Sequence, residues 1–425
     1  MKKYIEILGG MIEKQTVSSP EHARALLEAA YSWVRFSGSH KRGAAVRSAY
    51  DYINGAVAGT IVDSFRRPKE SVMVNIFLPC ELLHAMGIQP MFPEGISVYT
   101  ACTACQRPFA EAAEAADVPE SFCSYHKTML GMAETGVMPP PLMIVNTTLA
   151  CDANQLSFRR LAEQYQVPHM VIDIPHTDDE DAVRYVAGQL RAVAAQLEDL
   201  CHRKLDPQAL SEAVARSQRT LDTYQAFLQR RGEITLPTTM TGELCSMIAT
   251  HVMLGRPESK AYMSRLLRSA EQAAPADPGK KRIFWMHTLP NWQDSMKEIL
   301  EASGRCEIVG TDMSTDALLE MDPEQPYESM ARRAVGTSFN GSAARRIESA
   351  IRRARQARAD GVIVFCHWGC KQTLGMSQMA KQTLEAEGFP TLVLDGDGCD
   401  ARNVADGQMV TRVNAFLEQL EGTHT

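Results

Sequence analysis

The sequence predicts an α/β protein with two parallel-sheet domains, an N-terminal helical region and a helical bridge between the sheets. In both halves, short apolar runs rich in β-branched residues alternate with helix-periodic stretches, the pattern of a parallel sheet covered on both faces. From Asp179 the chain turns long, charged and helical, and the turn-prone stretch EQAAPADPGKK closes that segment before the second half begins. At 425 residues the chain also exceeds what one hydrophobic core usually organises.

Residues 1–70 read as helical, with SPEHARALLEAAYSWVRFSG opening on a Ser-Pro start signal and stopping at a Gly-rich break. The first α/β domain, 71–178, places strands in SVMVNIFLP, GISVYT, PLMIVNTTL and PHMVIDIP, with helices near ELLHAMG, RPFAEAAEAA and NQLSFRRLAEQYQ. The bridge and linker, 179–278, carry DAVRYVAGQLRAVAAQLEDL and ALSEAVARSQRTLDTYQAFLQRR. The second α/β domain, 279–425, has strands in RIFWMHTLP, CEIVGTDM, DGVIVFCHWG and PTLVLDGDG, with helices near SAARRIESAIRRARQAR and SQMAKQTLEAEG.

A net charge of −7 and a pI near 5.9 give no basic footprint, which argues against a nucleic-acid partner. No apolar run reaches the roughly 18 residues that span a bilayer, and MKKYIEILGGMIEKQ lacks the apolar core of a signal peptide. The expectation is a cytoplasmic protein without a membrane segment. Its 11 cysteines, odd in number and sparse, are then free thiols available to metal.

Cys151 follows MIVNTTLA and Cys370 closes VIVFCHWG. Both stand at strand ends, where α/β sheets place ligands, in loops leading to helices whose N-terminal N–H groups stabilise a thiolate. Cys123, in SFCSYHKTMLG, lies on another helix-forming stretch. Three cysteines from distant parts of the chain, converging between the domains, would leave one metal position open, although spacing by itself does not establish this. The CxxC of Cys102 and Cys105 has no partner pair, which argues against a compact zinc site. Cys201, Cys245 and Cys306 sit singly and read as small buried hydrophobes.

His126, Lys127, His367 and Lys371 flank these cysteines, and His126, His367 and Lys371 are the candidate catalytic residues, suited to moving protons or donating hydrogen bonds to sulfide. The competing reading makes His367 and Trp368 the packed floor of a loop. The acidic turn Asp395–Asp400 imitates part of a calcium loop but lacks its later glycine and glutamate, so it reads as a strand-end turn. Asp152 and Asn154 read as caps of the next helix, with substrate contact as the alternative.

The runs FCSYHK, TTLACDAN followed by SFRRLAEQY and VIDIP, then CHWGCKQT, LDGDGCDARN and TRVNAFLE stand in this order from Phe77 to the C-terminus. Together they resemble the iron–sulfur subunits of the 2-hydroxyacyl-CoA dehydratase and benzoyl-CoA reductase family. The resemblance implies two flavodoxin-like (Rossmann-like) domains with a 4Fe–4S cluster between them, held by Cys123, Cys151 and Cys370. It also implies a separate ATP-hydrolysing iron–sulfur activator that supplies one low-potential electron. In the dehydratases that electron turns the thioester carbonyl into a ketyl radical, so that water can be eliminated, while the open iron acts as a Lewis acid.

A branch of the family carries an 8Fe–9S double cubane and reduces small molecules. That cluster needs further thiolates, for which Cys80, Cys105 and Cys366 are candidates, with Cys102 and Cys399 beside them. Cys366 suits packing against its sheet at least as well, Cys399 sits among carboxylates that oppose a thiolate, and Cys80 and Cys105 divide evenly between ligand and buried hydrophobe. Expected partners are the activator, a second copy or a related subunit (homodimer or heterodimer), and an acyl-CoA or small-molecule substrate. Two other classes stand against this reading. One is a non-catalytic iron–sulfur carrier; the other is a nucleotide-binding protein with incidental cysteines, opposed by the lack of a glycine-rich phosphate loop after any predicted strand. No Walker motif occurs either, which assigns ATP hydrolysis to another chain.

Overall fold

The computed structural model of the protein describes residues 2–40 and 45–422. Three helices, Lys2–Ser18, Pro20–His40 and Ala45–Arg66, form the N-terminal region. The expected Gly-rich break is instead helical as far as His40, and residues 41–44 lie outside the described residues. Gly38 explains the continuation, because a Cβ there would stand 2.3 Å from the carbonyl oxygen of Asp51 and 2.9 Å from the Cα of Gly55. A glycine pair thus lets two helix backbones cross closely, and that packing outweighs the helix cost of Gly.

The first sheet contains β1 (Ser71–Val74), β2 (Gln89–Met91), β3 (Met143–Thr147) and β4 (His169–Ile172), in the order β2-β1-β3-β4 with all pairs parallel. A two-residue ribbon, β5 (Ile234–Thr235) with β6 (Ala274–Pro275), is antiparallel and uses part of the expected linker. The second sheet contains β7 (Lys281–Met286), β8 (Cys306–Thr311), β9 (Gly361–His367) and β10 (Thr391–Gly396), in the order β10-β9-β7-β8, again wholly parallel. Strands β1, β3, β7 and β9 are buried along their whole length, as parallel strands covered on both faces must be. The α/β class with two Rossmann-like sheets is therefore what the chain adopts.

One expected strand is a helix. GISVYT belongs to the helix Pro93–Cys102, and the sheet position falls to Gln89–Met91 just before it. Pro93 occupies a first-turn position whose missing N–H costs nothing. Ser97 then ties the helix down, its Oγ donating to Pro93 O at 3.0 Å and to Tyr125 O at 2.9 Å. The β-branched residues in this stretch yield to tertiary context.

Between the sheets run the helices Glu180–Cys201, Pro207–Arg231, Met240–Thr250 and Pro257–Glu271. One hydrophobic cluster reaches from Val72 and Val145 through Leu190, Leu221 and Leu244 to Ile283 and Ile363, so the bridge packs on both sheets. A buried charge group pins it to the second. Glu307 of β8 meets Arg282 at 2.8 Å and Arg231 at 3.5 Å, and its Oε2 accepts the N–H of Leu236 at 3.1 Å. No helix among the described residues is long and apolar enough to cross a membrane.

Replacing Glu307 by Ala would leave two guanidinium groups buried without their carboxylate. The expected cost is about 3–5 kcal/mol, the usual penalty for breaking a buried pair from one side. Urea unfolding of wild type and variant measures it, and a loss below about 1 kcal/mol would mean that the surrounding carbonyls alone satisfy the two arginines.

Candidate functional site

Cys123, Cys151 and Cys370 each occupy the N-cap position of a helix: Ser124–Glu134, Asp152–Tyr165 and Lys371–Ala386. None of the three helices has a side-chain cap bond at that position, so their first N–H groups are left for the sulfurs. The backbone N–H of His126 favours the thiolate of Cys123, and those of Asn154 and Ala153 favour that of Cys151. Cys151 follows β3 and Cys370 follows β9, and these carboxyl-end loops bring two sheets to one place. The third approach is steric. Gly369 has φ +77°, and a Cβ there would lie 2.5 Å from the backbone nitrogen of Cys123, so the two cysteine loops touch backbone to backbone.

All three thiols line a single cavity of about 440 Å³, together with His126, His287, His367 and Lys371. Each thiol faces its own buried histidine: Cys123 Sγ stands 3.3 Å from His367 Nε2, Cys151 Sγ 3.6 Å from His126 Nε2, and Cys370 Sγ 3.5 Å from His287 Nε2. For His367 the hydrogen-bond network fixes the tautomer. Its Nδ1 accepts the N–H of Gly398 at 3.0 Å, so the proton sits on Nε2 and points at Cys123. Burial brings His126 and His287 down to about 3 and lowers His367 as well, so the three imidazoles are neutral.

Burial also works on the thiols. It raises Cys123 strongly and pushes Cys151 up to about 12, and in both the neighbouring cysteines add to the rise. The protein thus places three coupled thiols where their anions repel one another in a low-dielectric cavity, with helix ends turned toward them. A polycationic metal core resolves that conflict, because thiolates bound to metal lose their protons and their mutual repulsion together. Among the described residues no three His, Cys, Asp or Glu side chains stand close enough to hold a single metal ion. A cluster spreads its ligands over several metal atoms, and thiolate donors are those that iron–sulfur clusters use.

Lys371 lies exposed at the first helical position after Cys370 and lines the cavity. Lys127 turns away, its Nζ donating to Glu114 Oε1 and Glu120 O, both at 2.8 Å. His367 is buried as floor and stacks on Tyr125 at 4.5 Å, whereas Trp368 is exposed, donating to Glu120 O. The acidic turn organises this floor. Asp397 Oδ1 accepts from Ser124 Oγ at 2.6 Å, Cys399 N at 2.7 Å and Asp400 N at 2.9 Å, so its carboxylate is consumed internally. The expected capping by Asp152 and Asn154 gives way to Cys151 at the cap itself. Asn154 is buried on the cavity wall with its Oδ1 unbonded.

The additional cysteines are placed elsewhere. Cys80 donates to Leu78 O at 3.3 Å within the main core, Cys105 donates to Thr100 O at 3.5 Å in a second core cluster, and Cys366 packs among Val362, Val364 and Met376 under β9. None of the three lines the cavity.

Two residues of the site escape a reading of the sequence. His287 follows β7 with φ +81°, and its N–H donates to Asp312 Oδ1 at 2.7 Å. A histidine at a strand end before Pro290 is the available signal. Glu94 is hidden by the strand-like composition of the helix that carries it. It lines the cavity, accepts the N–H of Ile76 at 3.4 Å through Oε1, and keeps Oε2 buried without a partner. Burial pushes its carboxyl up to about 8.

Comparison with known proteins places the chain in a family. Residues 75–420 match the family model described as 2-hydroxyglutaryl-CoA dehydratase, D-component. The chain is 23% identical over 382 residues to the lactoyl-CoA dehydratase subunit alpha of Anaerotignum propionicum, covering 81% of this chain and 89% of that one. It is 21% identical over 398 residues to the (R)-2-hydroxyisocaproyl-CoA dehydratase alpha subunit of Clostridioides difficile, covering 87% and 95%. The (R)-phenyllactyl-CoA dehydratase alpha subunit of Clostridium sporogenes matches at 21% over 359 residues, covering 80% and 87%. Three separated thiols on one cavity between two parallel sheets, within a match spanning most of the chain, make this protein a member of the 2-hydroxyglutaryl-CoA dehydratase D-component family.

Proposed function

We propose that the chain is the cluster-bearing subunit of a 2-hydroxyacyl-CoA dehydratase working in the reducing cytoplasm. The observation that carries the reading is the set of Cys123, Cys151 and Cys370, each at a helix N-terminus, each faced by a histidine, and all open on one cavity. These three would hold a 4Fe–4S cluster. When bound, it supplies a one-electron reductant and, at an iron without a cysteine ligand, a Lewis acid. A separate ATP-hydrolysing activator supplies the electron, and a related subunit completes the enzyme, as the word subunit in the relatives' names suggests. Because Cys80, Cys105 and Cys366 are engaged elsewhere, the proposal stays with one cubane rather than a double cubane and small-molecule reduction.

The reaction removes hydroxyl from C2 and hydrogen from C3 of the acyl group, so one proton must reach the leaving hydroxyl and one must leave carbon. Glu94 suits the first task, being a buried acid on the cavity wall with an unbonded oxygen. His367 donates its Nε2 proton toward Cys123 and holds that sulfur, a positioning role rather than proton transfer to substrate. Burial, which brings His126 down to about 3, makes it a weak base, and its Nε2 at 3.6 Å from Cys151 Sγ gives it a positioning role as well. Lys371, at the exposed start of its helix, suits an anionic part of the thioester.

Two outcomes are expected. Protein isolated without oxygen should carry about four irons and as many acid-labile sulfides per chain. Cys151→Ser and Cys370→Ser should lose most of that iron, while Cys201→Ser and Cys245→Ser retain it. Equal loss in all four, or no iron after anaerobic reconstitution, overturns the assignment. Second, Glu94→Gln should keep its iron and lose about 10²–10⁴-fold in turnover. Unchanged turnover, measured by enoyl-CoA formation with saturating activator, removes Glu94 from proton transfer.

A further inference from the structure

The cavity that holds the three thiols also carries a wall of another kind. Leu244, Met247 and Ile248 stand at i, i+3 and i+4 on the helix Met240–Thr250 and line the cavity from one face of that helix. Phe92 joins them from the loop before Pro93, and Phe77 and Phe339, with ring centroids 5.5 Å apart, extend the apolar surface. These six side chains come from the first sheet domain, the bridge and the second domain, so the wall is a product of the whole fold.

The charged groups around the cavity are disposed unfavourably for a second carboxylate. Lys371 is exposed on the helix that follows Cys370, and among the described lining residues it is the one lysine or arginine. The buried guanidinium of Arg346 lies 4.1 Å from the ring centroid of Phe339 but does not line the cavity, and Asp312 neutralises it at 2.7 Å. Glu94, on the same wall, brings no positive charge. Burying a carboxylate against the apolar wall forfeits hydration, and none of its six side chains can replace the lost hydrogen bonds.

Resting on the acyl-CoA reading above, we infer that the chain selects 2-hydroxyacyl thioesters with an apolar, uncharged side chain, aliphatic or aromatic, and rejects dicarboxylic ones. Phe92 sets the depth of the pocket. Its ring lies against Gly95, where a Cβ would meet it at 2.5 Å, and beyond it a small apolar cavity lined by Val57, Ile61, Val252 and Met253 shares Phe92, Gly95 and Ile248 with the main one. Removing the ring joins the two spaces.

The test is equilibrium binding of four probes to anaerobically isolated protein: free CoA, lactoyl-CoA, 2-hydroxyisocaproyl-CoA and 2-hydroxyglutaryl-CoA. The branched apolar thioester should bind about tenfold or more tightly than the dicarboxylic one, since even a single methylene in an apolar pocket is worth about tenfold. F92A should shift preference toward acyl chains longer than isocaproyl by a similar factor. Equal or tighter binding of 2-hydroxyglutaryl-CoA overturns the selectivity while leaving the dehydratase reading intact. If no thioester binds better than free CoA, the acyl-CoA reading falls and the selectivity with it. The wild-type order decides the question even if F92A does not fold.

Discussion

A thiol buried among other thiols resists ionisation, and the organisation of this protein turns on placing three of them together nonetheless. Desolvation and mutual repulsion both oppose the anions of Cys123 and Cys151. What the fold sets against that is backbone polarity, three helix N-termini whose orphan N–H groups have no side-chain cap to satisfy them. The usual Ser, Thr or Asp at such positions would have quenched these donors. A cysteine at each cap leaves them for sulfur.

Bringing three helix ends to one point demands that two sheets be held at fixed separation and angle. The bridge helices do this by sharing one hydrophobic cluster with both sheets, and the Arg231, Arg282 and Glu307 group adds direction to that non-specific adhesion. Near the cavity the same job falls to Asp397. By taking the hydroxyl of Ser124 and two N–H groups of its own turn, it fixes the β10 loop onto the helix that Cys123 caps. The electrostatic partners of Asp397 and of Glu307 are thus internal to the scaffold rather than on the cavity wall.

Much of this is legible in the sequence because strand-end position is a local property. The runs before Cys151 and Cys370 announce buried parallel strands, and a cysteine at their carboxyl ends reads as a ligand without any knowledge of the partner sheet. What local pattern misjudges is what tertiary contacts override. GISVYT has strand composition but is held as helix by Pro93 and by the bond from Ser97 to Tyr125, and that mismatch conceals Glu94. His287 escapes notice because nothing in HTLP says which element lies opposite; only the approach of β7 to β9 puts it beside Cys370. The cysteines Cys80, Cys105 and Cys366 are of the same residue type as the three on the cavity and differ only in where their side chains end up.

The pairing of each cysteine with a histidine has a consequence for how the site keeps its shape. A cationic imidazolium would be the stronger partner for a thiolate, yet burial keeps these rings neutral, and for His367 the N–H of Gly398 fixes which nitrogen carries the proton. At Cys123 a neutral donor aimed at sulfur stabilises negative charge without adding a positive charge to be buried. It also imposes steric terms. Gly398 is needed where the Tyr125 hydroxyl would lie 1.9 Å from any Cβ, and Gly369 where the Cys370 loop rests on the backbone of Cys123. The hydrogen bonds choose the tautomer of His367, but these two glycines set the distances, so backbone packing fixes the geometry of the thiols.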